Sequence, residues 1–229
     1  MPANRTRFYP GQPWPDNHGV HINAHGGGIL CHNGIYYWFG EHKVETELGN
    51  TAQVGVSCYS SADLYNWKDE GIALPVSEEP GHDIEKGCIL ERPKVIYNKR
   101  TGKFVMWFHL ELKGKGYDSA MCATAVSDSP TGPYRYIEAF RPNAAVWPVN
   151  VEEENKIAGD RNTFLRDFEG GQMSRDMTLF VDTDGKAYHI CSSEDNKTTH
   201  ISLLSDDTLK PSGTYARAFK RRYMEAAAI

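Results

Sequence analysis

The sequence predicts an all-β protein built from a recurring hairpin, and three observations carry that prediction. Three stretches share one pattern: Gly26–Glu41 (GGGILCHNGIYYWFGE), Arg92–His109 (RPKVIYNKRTGKFVMWFH) and Met177–Ser193 (MTLFVDTDGKAYHICSS). Each reads as an apolar strand, a turn containing Gly, and a second strand rich in aromatic and β-branched residues. Each is followed by a further unit, Val54–Gly71, Cys122–Ile137 and Thr199–Tyr215, with an alternating strand, a Ser/Asp turn and a short strand. No window of helical length shows a 3.6-residue apolar period, so long helices are not expected. A hairpin plus its following unit makes about four strands, and such units repeated along a chain are the signature of a β-propeller, one unit per blade. The innermost strand of each blade then begins beside a central cavity, where chemistry is expected.

The repeats can be set in register. Asn33-Gly34 of the first hairpin matches Asp184-Gly185 of the third, and Ile29 of the first matches Val95 of the second. The position four residues before the matched apolar residue is then His25, Glu91 and Asp176. The closing run MEAAAI repeats the opening of the strand, and its matching position is Glu225. Three of the four equivalent positions carry a carboxylate. Charge is depleted in strands and costly near a shared axis, so this recurrence points to function.

Composition narrows the function classes. The chain has 229 residues, 40% of them hydrophobic and 11% aromatic, and a formal net charge of −5. It is long and apolar enough to bury a core. The negative balance argues against nucleic acid or an anionic membrane as a partner. No run is long enough to span a bilayer, and MPANRTRFYPGQPWPD shows no apolar signal-peptide core, so the compartment stays open. The five cysteines, Cys31, Cys58, Cys88, Cys122 and Cys191, have no zinc-ligand spacing. They are read as reduced thiols, buried where they lie in strands.

The connection from Phe140 to Gln172 is long enough to suggest a wall of a binding pocket, with Trp147 as a candidate stacking platform. Carboxylates around one funnel suit glycoside hydrolysis, in which a protonated carboxyl donates to the leaving oxygen and an ionised one activates water. The 5 Trp, 12 Tyr and 9 His fit a sugar, whose ring stacks on aromatic faces and whose hydroxyls bond to polar side chains. Candidate hydroxyl binders at strand ends and loops are Asn23, His25, Glu41, Tyr117, Arg175, Glu194 and Asn196.

Ile22–Leu30 (INAHGGGIL), Tyr36–Lys43 (YYWFGEHK), Ser60–Trp67 (SSADLYNW), Glu91–Asn98 (ERPKVIYN), Ala125–Tyr134 (AVSDSPTGPY), Ser174–Ile190 (SRDMTLFVDTDGKAYHI) and Tyr223–Ile229 (YMEAAAI) together resemble glycoside hydrolase family 43. The resemblance is closest to its exo-β-1,3-galactanase and β-galactosidase group. It implies a five-bladed β-propeller, of which residues 1–229 form a single incomplete domain, about three blades and the start of the fourth. It also implies an inverting, exo-acting hydrolase of β-1,3-linked galactan.

In the family the general acid is a glutamate opening blade four, within Glu-Ala-Pro or Glu-Gly-Pro. Glu225 matches it, although the chain reads Glu225-Ala226-Ala227. An aspartate opening blade three orients the acid, and Asp176 matches it. Most members place an aspartate base at the opening of blade one, where this chain has Asn23-Ala24-His25. The galactanase group shares that loss, and its base is a glutamate matching Glu91 or an amide residue of blade five. Some members hold a calcium or sodium ion on the propeller axis, but no ligands for one are identifiable here. No cofactor is expected, and the expected partner is an oligo- or polysaccharide, with oligomeric state open. The alternatives are α-L-arabinofuranosidase or β-xylosidase activity on the same fold, or an inactive carbohydrate-binding propeller.

Overall fold

The computed structural model describes residues 4–159 and 161–229. Twelve strands form three four-stranded antiparallel sheets, each a run of consecutive neighbours. Sheet one holds β1 (His25–His32), β2 (Ile35–Lys43), β3 (Gln53–Ser61) and β4 (Lys68–Pro75). Sheet two holds β5 (Ile89–Asn98), β6 (Lys103–Glu111), β7 (Met121–Ser127) and β8 (Arg135–Phe140). Sheet three holds β9 (Met177–Val181), β10 (Ala187–Ser193), β11 (Thr198–Leu204) and β12 (Pro211–Ala218). The only α-helix among the described residues is one turn, Thr163–Arg166. The recurring hairpins of the sequence are β1–β2, β5–β6 and β9–β10.

Local chemistry explains the hairpins. Asn33 and Gly34 both take positive φ, 51° and 77°. A two-residue turn of that kind matches the twist of the strands it joins. Packing then follows strand alternation. Along β6, Phe104, Met106, Phe108 and Leu110 face sheet one, joining Phe39, Val56, Cys58 and Leu90 in one core. The intervening Val105 and Trp107 face sheet three, with Met177, Ala187, Cys191 and Leu204. Strand β6 is therefore buried on both sides, which is why it carries the apolar run Phe104–Phe108. The outer face of sheet one is covered by the N-terminal arm, whose Trp14 meets Trp38 and Trp67.

Cys58, Cys122 and Cys191 are buried free thiols, as their strand positions suggested, and Cys88, just before β5, is buried too; Cys31 departs from that reading, exposed because it lies on the outward side of β1. The long connection does not border the inner strands at Trp147. That ring packs on Phe168, 4.2 Å between centroids, and on Phe164, which joins Tyr215 of the outer strand β12. The expectation of a stacking platform is corrected accordingly: the aromatic residues of this segment satisfy one another.

The inner strand β5 packs against both β1 and β9. All three inner strands are irregular at the same end. In β1 the register slips between His25 and Gly28, and in β5 between Glu91 and Lys94. Before β9, the Ser192 N–H donates to the Asp176 carbonyl while the Ser192 carbonyl accepts from Arg175 N. Each bulge lets two residues face one and re-aims the side chains beside it. The turns correct the sequence register: residues 182–186 join β9 to β10 where Asn33-Gly34 joins β1 to β2, so matching the turn glycines sets Asp176 level with His25 and Glu91, whereas the strand pairing sets Ser174 there. His25 pairs with Glu41 and Glu91 with His109, whereas Asp176 lies one residue before its strand, opposite Ser192. Glu225 lies outside any strand among the described residues.

Candidate active site

The first two bulges place two residues in the left-handed region at matching positions, Gly26 (φ 59°) and Arg92 (φ 55°). Gly26 needs its hydrogen, because a Cβ there would run into the Glu41 carboxylate. Arg92 takes this conformation despite its side chain and despite the proline that follows, a strain persisting only where the surroundings fix it. Those surroundings are polar. The Arg92 N–H donates to Glu41 Oε1 at 3.0 Å, and its guanidinium forks onto Asp176, Nε to Oδ1 and Nη2 to Oδ2, both at 3.0 Å. The planar fork binds two oxygens at once and ties sheet two to sheet three. A Gly26→Ala change is expected to cost about 1–3 kcal/mol from backbone strain, and the clash with Glu41 adds to it. Thermal unfolding would check this; an unchanged midpoint would contradict the assigned role.

Glu41 is almost fully enclosed, its side chain 1% exposed. Lys43 Nζ lies 2.6 Å from Oε2, and His25 Nδ1 approaches the same oxygen at 3.2 Å. His25 is open to solvent, so its ring presents one side to Glu41 and the other outward. Asn23 does not join them. Its amide nitrogen donates to the Lys43 carbonyl at 2.8 Å and its oxygen accepts from Lys43 N, so both ends close the sheet edge and the expectation of a sugar binder is corrected.

Glu91 is the second carboxylate. Tyr117 donates its hydroxyl to Oε1 at 2.7 Å, and His109 Nδ1 lies 3.2 Å from Oε2. Asn50 donates to the Tyr117 hydroxyl, and Arg175 Nη2 donates to the Tyr117 carbonyl, so the loop carrying Tyr117 is held from two sides. Behind it, His109 Nε2 lies 2.8 Å from Glu111 Oε1, and Glu111 accepts from Ala120 N. Burial pushes the Glu91 carboxyl up, but the bonds from His109 and Tyr117 and the charges of His109 and Lys43 outweigh it, leaving the pKa below the ordinary value. Burial alone would keep His109 neutral; Glu111 and Glu91 reverse that and raise it. The site therefore holds Glu91 as a carboxylate, the form a general base needs.

Asp176 joins this group to the C-terminal segment. Beyond the Arg92 fork, Oδ2 accepts from Ala226 N at 2.9 Å, the amide directly after Glu225. Glu225 itself accepts from Asn196 Nδ2 at 3.0 Å. Asn196 closes a run of three left-handed residues, Glu194, Asp195 and Asn196. Glu194 is not free to bind a sugar. Arg217 forks onto it at 2.6 and 2.7 Å, and His200 and Thr198 donate to it. It anchors the loop instead, which corrects its reading as a hydroxyl binder. Among the described residues no group of three or more His, Cys, Asp or Glu side chains is arranged to hold a metal ion.

Of the residues expected from the sequence, His25, Glu41, Glu91, Tyr117, Arg175, Asp176, Asn196 and Glu225 are linked through these contacts. Arg92, Lys43, His109 and Glu111 are additions. Arg92 shares its repeat position with Gly26, and His109 faces Glu91 as Glu41 faces His25, so the first two sheets carry one His–Glu couple with its members exchanged.

Bulged inner strands on four-stranded sheets packed against one another thus gather these carboxylates at one end of the sheets. No protein-family model matches the chain, and no curated protein matches it. Solved structures do. A GH43 β-1,3-galactosidase solved with galactodeoxynojirimycin is 55% identical over 96% of this chain and 68% of its own, with a TM-score of 0.89. A second GH43 β-1,3-galactosidase is 41% identical over 99% of this chain and 42% of its own, with a TM-score of 0.81. An exo-β-1,3-galactanase from Clostridium thermocellum is 36% identical over 94% of this chain and 41% of its own, with a TM-score of 0.76. The chain belongs to glycoside hydrolase family 43, and it spans from about two fifths to about two thirds of the length of these relatives.

Proposed function

We propose that the whole protein is an exo-acting, inverting hydrolase of β-1,3-galactan, on a five-bladed β-propeller of which sheets one to three are the first three blades and the residues after Ala218 lead into the fourth. The face of sheet three carrying Phe180, Tyr188, Ile201 and Leu203 is only half-buried, which favours a further sheet packed against it. Residues 1–229 are read as part of that single domain.

One observation carries the chemistry. Glu91 is held ionised by Tyr117 and His109, while Asp176 fixes the backbone next to Glu225. Glu91 is assigned as general base, drawing a proton from the attacking water. Glu225 is assigned as general acid, protonating the leaving oxygen, with Asp176 orienting it. Such a pair hydrolyses a glycosidic bond in one displacement, with inversion at the anomeric carbon. His25, Tyr117, Arg175 and Asn196 are assigned to the sugar hydroxyls; Glu41, 1% exposed and taken up by Arg92, Lys43 and His25, is assigned to holding His25, which corrects its reading as a hydroxyl binder. The names of the relatives support galactose.

Hydrolysis of β-1,3-galactobiose followed by proton NMR tests this reading, with α-galactose expected as the first product. First appearance of β-galactose would contradict inversion. Cleavage of aryl arabinofuranosides or xylosides in preference to galactosides would move the substrate assignment. Tyr117→Phe removes one bond to the Glu91 carboxylate, so its pKa rises and the base is protonated at higher pH. The acid limb of the pH–rate profile is expected to move up by about half to one unit. An unmoved limb would take Glu91 out of the base role.

A further inference from the structure

Lys94 follows the β5 bulge and points across to β1. Its ammonium is bonded, among the described residues, to backbone carbonyls alone: Gly26 at 3.1 Å, Arg92 at 3.4 Å and Pro93 at 3.5 Å. Two of those carbonyls belong to the left-handed residues of the two bulges, Gly26 and Arg92. The path of the side chain is also built in. A Cβ on Gly28 would run into Lys94 Cδ, so the third glycine of Gly26-Gly27-Gly28 leaves the channel through which the lysine stem passes.

We propose that the Lys94 ammonium is an internal cation that fills a carbonyl cradle between β1 and β5 and locks the two bulges to each other. Lys94 is then a positioning residue: Gly26 and Arg92, which it fastens, aim Glu41 and Asp176. The cradle offers three neutral oxygens and no carboxylate. Calcium takes six to eight oxygen ligands and favours carboxylates among them, so the donor set does not fit it. A calcium ion is therefore not accommodated in this cradle. Burial, helped by the adjacent Arg92 charge, pushes Lys94 down to about 8, while Glu41 and Asp176 pull it the other way. The group remains mainly an ammonium at neutral pH.

The inference rests on backbone geometry rather than on the substrate, and its test reads folding. Lys94→Ala is unfolded thermally in the presence of n-propylammonium, which reproduces the lost stem and charge, and of tetramethylammonium, which has the charge but no N–H. The midpoint of Lys94→Ala is expected to rise by about 2–4 °C with n-propylammonium alone. The unaltered protein and Lys94→Met, whose stem still fills the channel, are expected not to respond, and the unaltered protein is expected to be indifferent to calcium and to chelator. Equal response of Lys94→Ala to both amines, or to neither, overturns the proposal, as does a midpoint of the unaltered protein that rises with calcium. If Lys94→Ala folds only from denaturant, refolding yield with the two amines reads the same question, and equal yields overturn it. Gly28→Ala supplies an independent arm: displacing the stem should reproduce the loss seen in Lys94→Ala, and combining the two should add nothing. Additive losses would also overturn the proposal.

Discussion

Glu225→Gln is expected to reduce kcat on β-1,3-galactan by about 10²–10⁴-fold, the range for losing a general acid. The same change should cost far less on aryl galactosides with good leaving groups, which depart without a proton. The substitution is a clean one in this structure. Glutamine keeps an oxygen to accept from Asn196 Nδ2, and the Ala226 N–H bond to Asp176 is a backbone contact that the side chain does not touch. The loss is then chemical rather than a displacement of the segment. Steady-state kinetics on the two substrate types distinguishes the outcomes, and equal losses on both would remove Glu225 from the acid role. The comparison belongs on a form of the protein with the length of its relatives, since the assignment concerns the whole enzyme.

The second large effect lies beside the site. Arg217→Met is expected to destabilise the fold by about 3–5 kcal/mol, the cost of stranding one member of a buried ion pair. In a chain of this length that is a fall in midpoint of about 6–20 °C. Both side chains are 6% exposed, so water cannot replace the guanidinium. Glu194 also starts the run of three left-handed residues, each of them strained, and its fork with Arg217 is what holds that run. The loop carries Asn196, so activity should fall with stability.

The same pair sets a pH dependence. Burial would raise the Glu194 carboxyl, but bonds and charges from His200 and Arg217 dominate and hold it at about 2. A carboxylate with a depressed folded pKa adds stability that is fully present above its unfolded pKa of about 4.3 and is lost as pH falls through the folded value. The contribution, about 3 kcal/mol, should therefore disappear between about pH 4 and pH 2. Arg217→Met should flatten that part of the acid denaturation curve. Replacing both partners by apolar residues should recover much of the lost stability at neutral pH, because no charge is left stranded. A double variant as unstable as the single one would mean that the geometry of the loop, not the uncompensated charge, is what the pair supplies.

The parts of this structure legible in the sequence are those set by neighbours along the chain. Asn33-Gly34 announces its turn because both residues tolerate positive φ, and the aromatic second strands announce themselves by composition. The bulges were not legible. One extra residue at the end of a strand barely disturbs its pattern. The rung of Asp176 was lost to turn length instead: the turn at 182–186 is longer than Asn33-Gly34, so matching the turn glycines set Asp176 level with His25 and Glu91. Arg92 was hidden for another reason: its partner Asp176 lies 84 positions away, and nothing local marks an arginine before a proline as a fork for a carboxylate. Glu194 and Trp147 were misread in the opposite sense. Both look like loop residues offered to a ligand, and both are taken up by partners distant in sequence, Arg217 in one case and Phe164 and Phe168 in the other. Glu91 and Tyr117 could be named from the chain, but the relation between them, a phenol donating to a carboxylate held ionised, needed the fold.

Galactose release from β-1,3-galactan, measured on this chain and on a form extended to the length of its relatives, tests the central claim most directly. Each form is run with its Glu91→Gln variant. Release of free galactose by the extended form, abolished by Glu91→Gln, is the predicted result. A folded extended form that releases no galactose, or one whose release survives Glu91→Gln, would contradict it.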